Sequence, residues 1–158
     1  MPIKMLSNKL GEVQNRIKEL TKDKVFVGVP DGGGRNDGKM TNAQIARVHE
    51  FGSPAQNIPA RPFLTAGVTT AKPEIVTQMR KASLDILSGK SGDTAFNKAG
   101  LIGQAAVKKY IVASGFTPLS PKTVKSRNNA RSNGNGGTKP LIDTGQLLNS
   151  ITYVIRSK

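Results

Sequence analysis

Apolar residues recur along the opening stretch at Leu6, Leu10, Val13, Ile17 and Leu20, at spacings of four, three, four and three, with Lys9, Glu12, Arg16, Lys18 and Glu19 between them. That period belongs to one face of an α-helix, so residues 5–21 are predicted helical with that face docked and the other in water. The pattern then changes to period two: Val25, Val27 and Val29 alternate with Phe26 and Gly28, which predicts a strand over Lys24–Val29. Pro30 and the run Asp31-Gly32-Gly33-Gly34 end it. Thr41 with Gln44 three residues on spells a capping box and opens a helix over about 42–51, with Ile45, Val48 and His49 on its apolar side.

A stiff crossing follows, HEFGSPAQNIPARPFL at 49–64, and the rest of the chain is organised around it. Phe51-Gly52 ends the helix, and Pro54 and Pro59 bias their predecessors toward extended backbone, so no helix is expected from Ser53 to Arg61. Pro62 suits a first helical position, with Phe63, Leu64 and Ala66 inward. Pro73 then demands a break near Ala71. Ile75, Val76, Met79, Ala82, Ile86 and Leu87 carry a helix to Ser88-Gly89; Asp93 caps another, with Phe96, Ala99, Ile102, Ala106 and Tyr110 inward, until Gly115. These two are expected to be the longest.

Ser120-Pro121 is an N-cap followed by proline, so Lys122–Arg127 is expected to be a short basic helix. Asn128–Lys139 has no periodicity and few apolar residues, and together with 30–39 it is read as flexible loop. Asp143 and Gln146 repeat the capping pattern for a brief helix over Gly145–Leu148. Ile151, Tyr153 and Ile155 alternate with Thr152, Val154 and Arg156, which gives a closing strand within 149–156. The expected fold is α+β: one domain over 1–158, with a small, mostly antiparallel sheet flanked by several helices.

Composition narrows the function. The chain of 158 residues has no cysteine and one histidine, which excludes disulfide and thiolate chemistry and two-histidine metal sites. Neither a signal-peptide core nor a run near the ~18 apolar residues of a membrane span is visible, so a soluble, non-secreted chain without membrane contact is expected. Formal charge is +14. No carboxylate lies between Asp93 and Asp143, while Lys98, Lys108, Lys109, Lys122, Lys125, Arg127, Arg131 and Lys139 all do. Such a field suits phosphate backbones or acidic proteins, and Lys108, Lys109, Lys122, Lys125, Arg127, Arg131 and Lys139 are the candidate partner-facing or DNA-facing residues. The alternative is a solvated basic surface that only maintains solubility.

Three constellations invite catalytic readings. Gly33, Gly38 and Lys39 match a phosphate-binding loop between a strand and a helix, but Met40 stands where Ser or Thr would hold Mg²⁺, and no Walker B strand follows. A nucleotide enzyme would lose ATP binding on Lys39→Ala. His49 and Glu50 are adjacent on a helix and do not face each other, so His49 is read as packed or dipole-compatible. Asp143-Thr144-Gly145 matches an aspartic protease triplet, yet Leu147-Leu148 just after it favours a cap. No catalytic set, cofactor or metal site is expected, and the chain is expected not to be an enzyme.

Taken in order, VHEFGS (48–53), IPARPFL (58–64), PLSPKTV (118–124) and KPLIDTGQLLNSITY (139–153) resemble the neck and tail-completion proteins of tailed bacteriophages, also described as head-to-tail joining, minor tail or virion morphogenesis proteins. The resemblance spans most of the chain from Lys24 onward. It implies a structural virion protein, assembled first in the host cytoplasm, that sits as a homo-oligomeric, hexameric ring between the head connector and the tail terminator or tail tube, with non-specific contact to packaged DNA. Phe51, Gly52, Pro59, Arg61, Pro62, Phe63, Asp143 and Gly145 carry its motifs, at positions already read as corners and caps. The alternative reading is a sequence-independent basic nucleic-acid-binding module. Such a module would bind DNA as an isolated monomer with steep salt dependence.

Overall fold

A computed structural model describes residues 3–32, 40–130 and 137–157. Gly33, Gly38 and Lys39 of the phosphate-loop near-match and Arg131 of the basic set lie outside the described residues, as do residues 131–136 of the Asn/Gly stretch. Within the described residues the order is α1 (Ile3–Leu20), β1 (Asp23–Gly28), α2 (Asn42–Phe51), α3 (Phe63–Thr70), α4 (Lys72–Leu87), α5 (Asp93–Ala113), α6 (Pro121–Asn129), α7 (Gln146–Ser150) and β2 (Thr152–Ser157). The two strands pair antiparallel, so the fold is a small α+β.

Two compact units divide the chain, one of residues 1–27, 71–103 and 153–158 and one of 28–70 and 104–152. The first contains α1, most of the strand pair, α4 and α5 through Gly103. Its core is Ala82, Ile86, Ala95 and Phe96, closed by Leu20, Val25, Met79 and Ile155. The period-two pattern places Val25 and Ile155 against the helices while Phe26 is outward. α5 meets the sheet closely because it offers no side chain at Gly100 or Gly103. A Cβ on Gly100 would overlap the Tyr153 ring, and one on Gly103 would sit 2.8 Å from Val27 Cγ2. Tyr153 closes the contact by donating its hydroxyl to Asn97 Oδ1 at 2.9 Å.

α1 corrects one expectation. Leu20 packs on this core, and Arg16 donates to the Leu87 carbonyl at 2.8 Å, but Leu10, Val13 and Ile17 are 64%, 49% and 52% exposed. Val13 lies seven residues before Leu20 on the same helix face, so the apolar stripe outruns the surface that covers it. At 18 residues α1 is also longer than α4, with 16, so α4 and α5 are not the two longest helices.

The second unit holds α2, α3, the rest of α5, α6 and α7. Phe63, Val107 and Ile151 are fully buried at its centre. A Cβ on Gly67 would come within 2.7 Å of Val107 Cα, so the bare backbone of α3 is what lets it lie against α5. Tyr110 and Phe116 meet edge-on with centroids 5.8 Å apart.

Several boundaries move for local reasons. The crossing is not free of helix: Pro54–Gln56 makes one 3₁₀ turn, tolerated because Pro54 stands at its start. Pro62 lies just before α3 and not inside it. The break at Ala71 is present, with Pro73 in the first turn of α4, where no hydrogen bond is lost. α6 extends to Asn129, past the expected Arg127. α7 begins after Gly145, with a left-handed φ of 79°, so Gly145 and not Asp143 holds the N-cap position of this helix. The helix then takes Asn149 and Ser150, and β2 starts only at Thr152.

Candidate functional site

The second unit brings together the four sequence stretches that carry the family resemblance, all but Tyr153 at the end of the last. Their meeting begins at α2. Gln44 N–H donates to Thr41 Oγ1 at 3.2 Å, and Thr41 N–H to Gln44 Oε1 at 2.9 Å, the reciprocal capping box. With its start fixed, α2 turns Asn42, Ala46 and Glu50 inward at intervals of four.

Glu50 reaches the start of α3. One carboxylate oxygen accepts the Leu64 N–H and the other the Thr65 N–H, both at 2.9 Å, in a side chain only 8% exposed. α3 begins after Arg61-Pro62, with no Ser, Thr, Asp or Asn to cap it, so a residue fourteen positions upstream satisfies two of its free donors. By sequence alone Glu50 stands only as an acid/base partner for His49. The signal that points to its role is that missing cap.

Between the two helices the chain closes on itself. Gly52 adopts φ 76°, and a Cβ there would sit 2.9 Å from Ala60 N, so both conformation and space require glycine. Ser53 and Ile58 exchange backbone hydrogen bonds at 2.8 and 3.0 Å, with Asn57 left-handed between them. Arg61 N–H donates to the His49 carbonyl at 2.6 Å. The Arg61 side chain, 4% exposed, donates from Nε to the Thr117 carbonyl at 3.0 Å and from a terminal nitrogen to the Pro118 carbonyl at 3.3 Å. One arginine thereby ties VHEFGS to IPARPFL and both to the start of PLSPKTV. Burial, then the charge of Arg127, lowers its pKa, yet a guanidinium keeps its proton at neutral pH.

Arg127 makes the fourth connection. It donates to the carbonyls of Gly137, Lys139 and Ile142 at 3.0, 3.1 and 3.1 Å, and its Nε lies 3.8 Å from Asp143 Oδ1. Of the proposed partner-facing cations, Arg127 therefore works inside the fold, holding the loop ahead of α7. In that loop Leu141 is buried with φ 63°, a left-handed conformation rare for leucine. Lys109, Lys122, Lys125 and Lys139 are exposed and Lys108 is half-buried.

Beside these connections lies a half-open hollow of about 90 Å³ lined in part by Ile45, His49, Arg127, Leu141, Asp143, Gln146 and Leu147. His49 Nδ1 and Gln146 Oε1 are buried without a hydrogen-bond partner. The imidazole pKa falls below its ordinary value, first through burial and then through the charges of Arg61 and Arg127, so His49 is neutral at pH 7. A second, open depression of about 410 Å³ follows the corner past Pro54, Ile58, Pro59 and Ala60, and Phe51 beside it is 75% exposed. Phe51 therefore ends α2 pointing to solvent, while Phe63, its counterpart after the corner, is buried.

Among the described residues no three His, Cys, Asp or Glu side chains lie together as a metal site, and no helix is long and apolar enough to cross a membrane. Comparisons with protein-family models, curated proteins and solved structures give no match.

Proposed function

We propose that this chain is a structural subunit of a tailed-phage neck, joining the DNA-filled head to the tail as part of a homo-oligomeric ring. One observation carries the reading: the four motifs that resemble tail-completion proteins, although spread over residues 48–153, lie in one unit except for Tyr153 and are tied there by Glu50, Arg61 and Arg127. A motif set that served only local turns would not need these long-range ties. The rigid corner leaves Phe51 and the 53–60 loop outward as docking surface toward the connector and the tail-terminator or tail-tube proteins. The exposed Lys109, Lys122, Lys125 and Lys139 supply a positive face toward packaged DNA or acidic neighbours.

In-vitro complementation tests the reading. Purified protein added to a lysate of phage lacking this gene should restore plaque-forming particles from stored heads and tails. An unchanged titre, with heads and tails both intact, would reject it.

The same lysines support the second reading, a sequence-independent nucleic-acid-binding module. In that case the isolated monomer binds duplex DNA with a log–log salt slope of several units, each phosphate contact contributing about 0.9. An adaptor has no need of such binding when alone.

A further inference from the structure

We propose that the outward face of α4 is a docking surface for an acidic amphipathic helix of a different protein, one that sets a carboxylate between two aliphatic side chains at helical spacing. That the partner is a neck neighbour rests on the function proposed above; the surface and its chemistry do not. α4 turns Met79, Ala82 and Ile86 into the core of the first unit. On the side turned away from that core Val76, Leu84 and Leu87 are exposed, Leu84 to 66%. Val76, Arg80 and Leu84 follow one another at intervals of four and form a single ridge, apolar, cationic, apolar, with Leu87 beside its end. Contact with a partner would remove this aliphatic surface from water.

Arg80 decides which partner. It is exposed, and no carboxylate stands three or four positions to either side, where a helix brings side chains together: Val76 and Thr77 precede it there, and Ser83 and Leu84 follow. Glu74 and Asp85, six and five positions away, fall on another side of the helix, and among the described residues Arg80 has no ion pair. Any aliphatic surface laid on Val76 and Leu84 covers Arg80 as well, and a cation covered without a carboxylate is costly. A helix that presents an aliphatic residue, Asp or Glu, and a second aliphatic residue at the same interval of four meets all three side chains at once.

A second copy of the chain does not supply that row. α4 against α4 reads the same in either direction and brings Arg80 to Arg80. None of the ten Asp and Glu residues has an aliphatic residue both four places before it and four places after it. A lipid surface calls for a broad apolar face with aromatic anchors, and this ridge is one side chain wide on a helix without an aromatic residue.

The test titrates dye-labelled helical peptides with the intact protein and follows fluorescence anisotropy. The peptides are identical except for a central Glu, Gln or Lys, with leucines four places before and after it. Saturable binding is expected for the Glu peptide, about tenfold weaker binding for Gln, and none for Lys. Arg80→Glu should invert that order and bind the Lys peptide, which only a folded chain can do. Leu84→Gln should weaken the Glu peptide about tenfold, whereas Val112→Gln, at an exposed apolar position of the second unit, should change nothing. Thermal melting checks that each variant is folded. No saturable binding of the Glu peptide, or equal binding of all three, would overturn the proposal. A rise in mass with concentration that Leu84→Gln abolishes would overturn it in favour of a second copy. Capture by phosphatidylserine vesicles that Leu84→Gln abolishes would overturn it in favour of a lipid surface. None of these outcomes depends on head-to-tail joining, so the neck reading can stand or fall separately.

Discussion

Replacing Glu50 should unfasten α3 from α2, and the structure sets the size of the effect. The side chain is 8% exposed and gives one oxygen to each of two backbone donors at 2.9 Å. A hydrogen bond to a charged group contributes about 1.5–3 kcal/mol, and a carboxylate at a helix N-terminus adds up to ~1 kcal/mol through the dipole. The contributions share one anchor and do not add fully. Glu50→Gln keeps the shape and one acceptor but turns an NH₂ toward the other N–H, so a loss of about 2 kcal/mol is expected. Glu50→Ala leaves both donors buried and unpaired and should lose about 4 kcal/mol, or roughly 8–16 °C in melting temperature for a chain of this size. Urea unfolding gives the totals, and amide exchange of Leu64 and Thr65 gives the local effect. Both amides should exchange faster in both variants. Losses under about 1 kcal/mol in Glu50→Ala, or unchanged exchange at these amides, would refute the assignment of Glu50 as the remote cap.

Arg61→Lys keeps the charge but cannot bridge the Thr117 and Pro118 carbonyls with a planar fork, so urea unfolding should show a loss of about 2 kcal/mol. Gly100→Ala forces a methyl into the Tyr153 ring and should cost about 1–3 kcal/mol, whereas Gly115→Ala, with open space around it, should stay within about 0.5 kcal/mol. Since the folded His49 binds its proton less readily than a free imidazole, the unfolded chain protonates first as pH falls. Stability should therefore be full above about pH 6.5 and decline as pH drops from there toward the folded value. Urea midpoints of His49→Asn, compared with wild type across pH 5–8, should lack that component. Leu10→Gln and Ile17→Gln, at exposed positions of α1, should each change stability by less than about 0.5 kcal/mol.

Short-range chemistry is what the sequence makes legible. Thr41 and Gln44 sit three residues apart, so the capping box follows from the identity and spacing of two residues. Pro73 can open a helix but not lie within one, and the alternation of Val25 and Val27 marks a strand by itself. The α+β class follows from these signals. What escapes such a reading depends on residues far apart in the chain. The stripe on α1 is visible in the sequence, but that packing stops near Leu20 is a property of what α4 and the strands leave uncovered. Arg127 passes for a surface cation because the carbonyls that hold it lie ten to fifteen residues on. Asp143 has a cap's spacing to Gln146, but Gly145 in a left-handed conformation takes that position. The 49–64 corner is recognisable as the organising element, while the ties that make it one come from Thr117 and Pro118.

The central claim, a neck adaptor, is tested most directly by negative-stain microscopy of a lysate from phage carrying a stop codon in this gene. DNA-filled heads beside separate, full-length tails are expected. Normal, joined and infectious particles would contradict it.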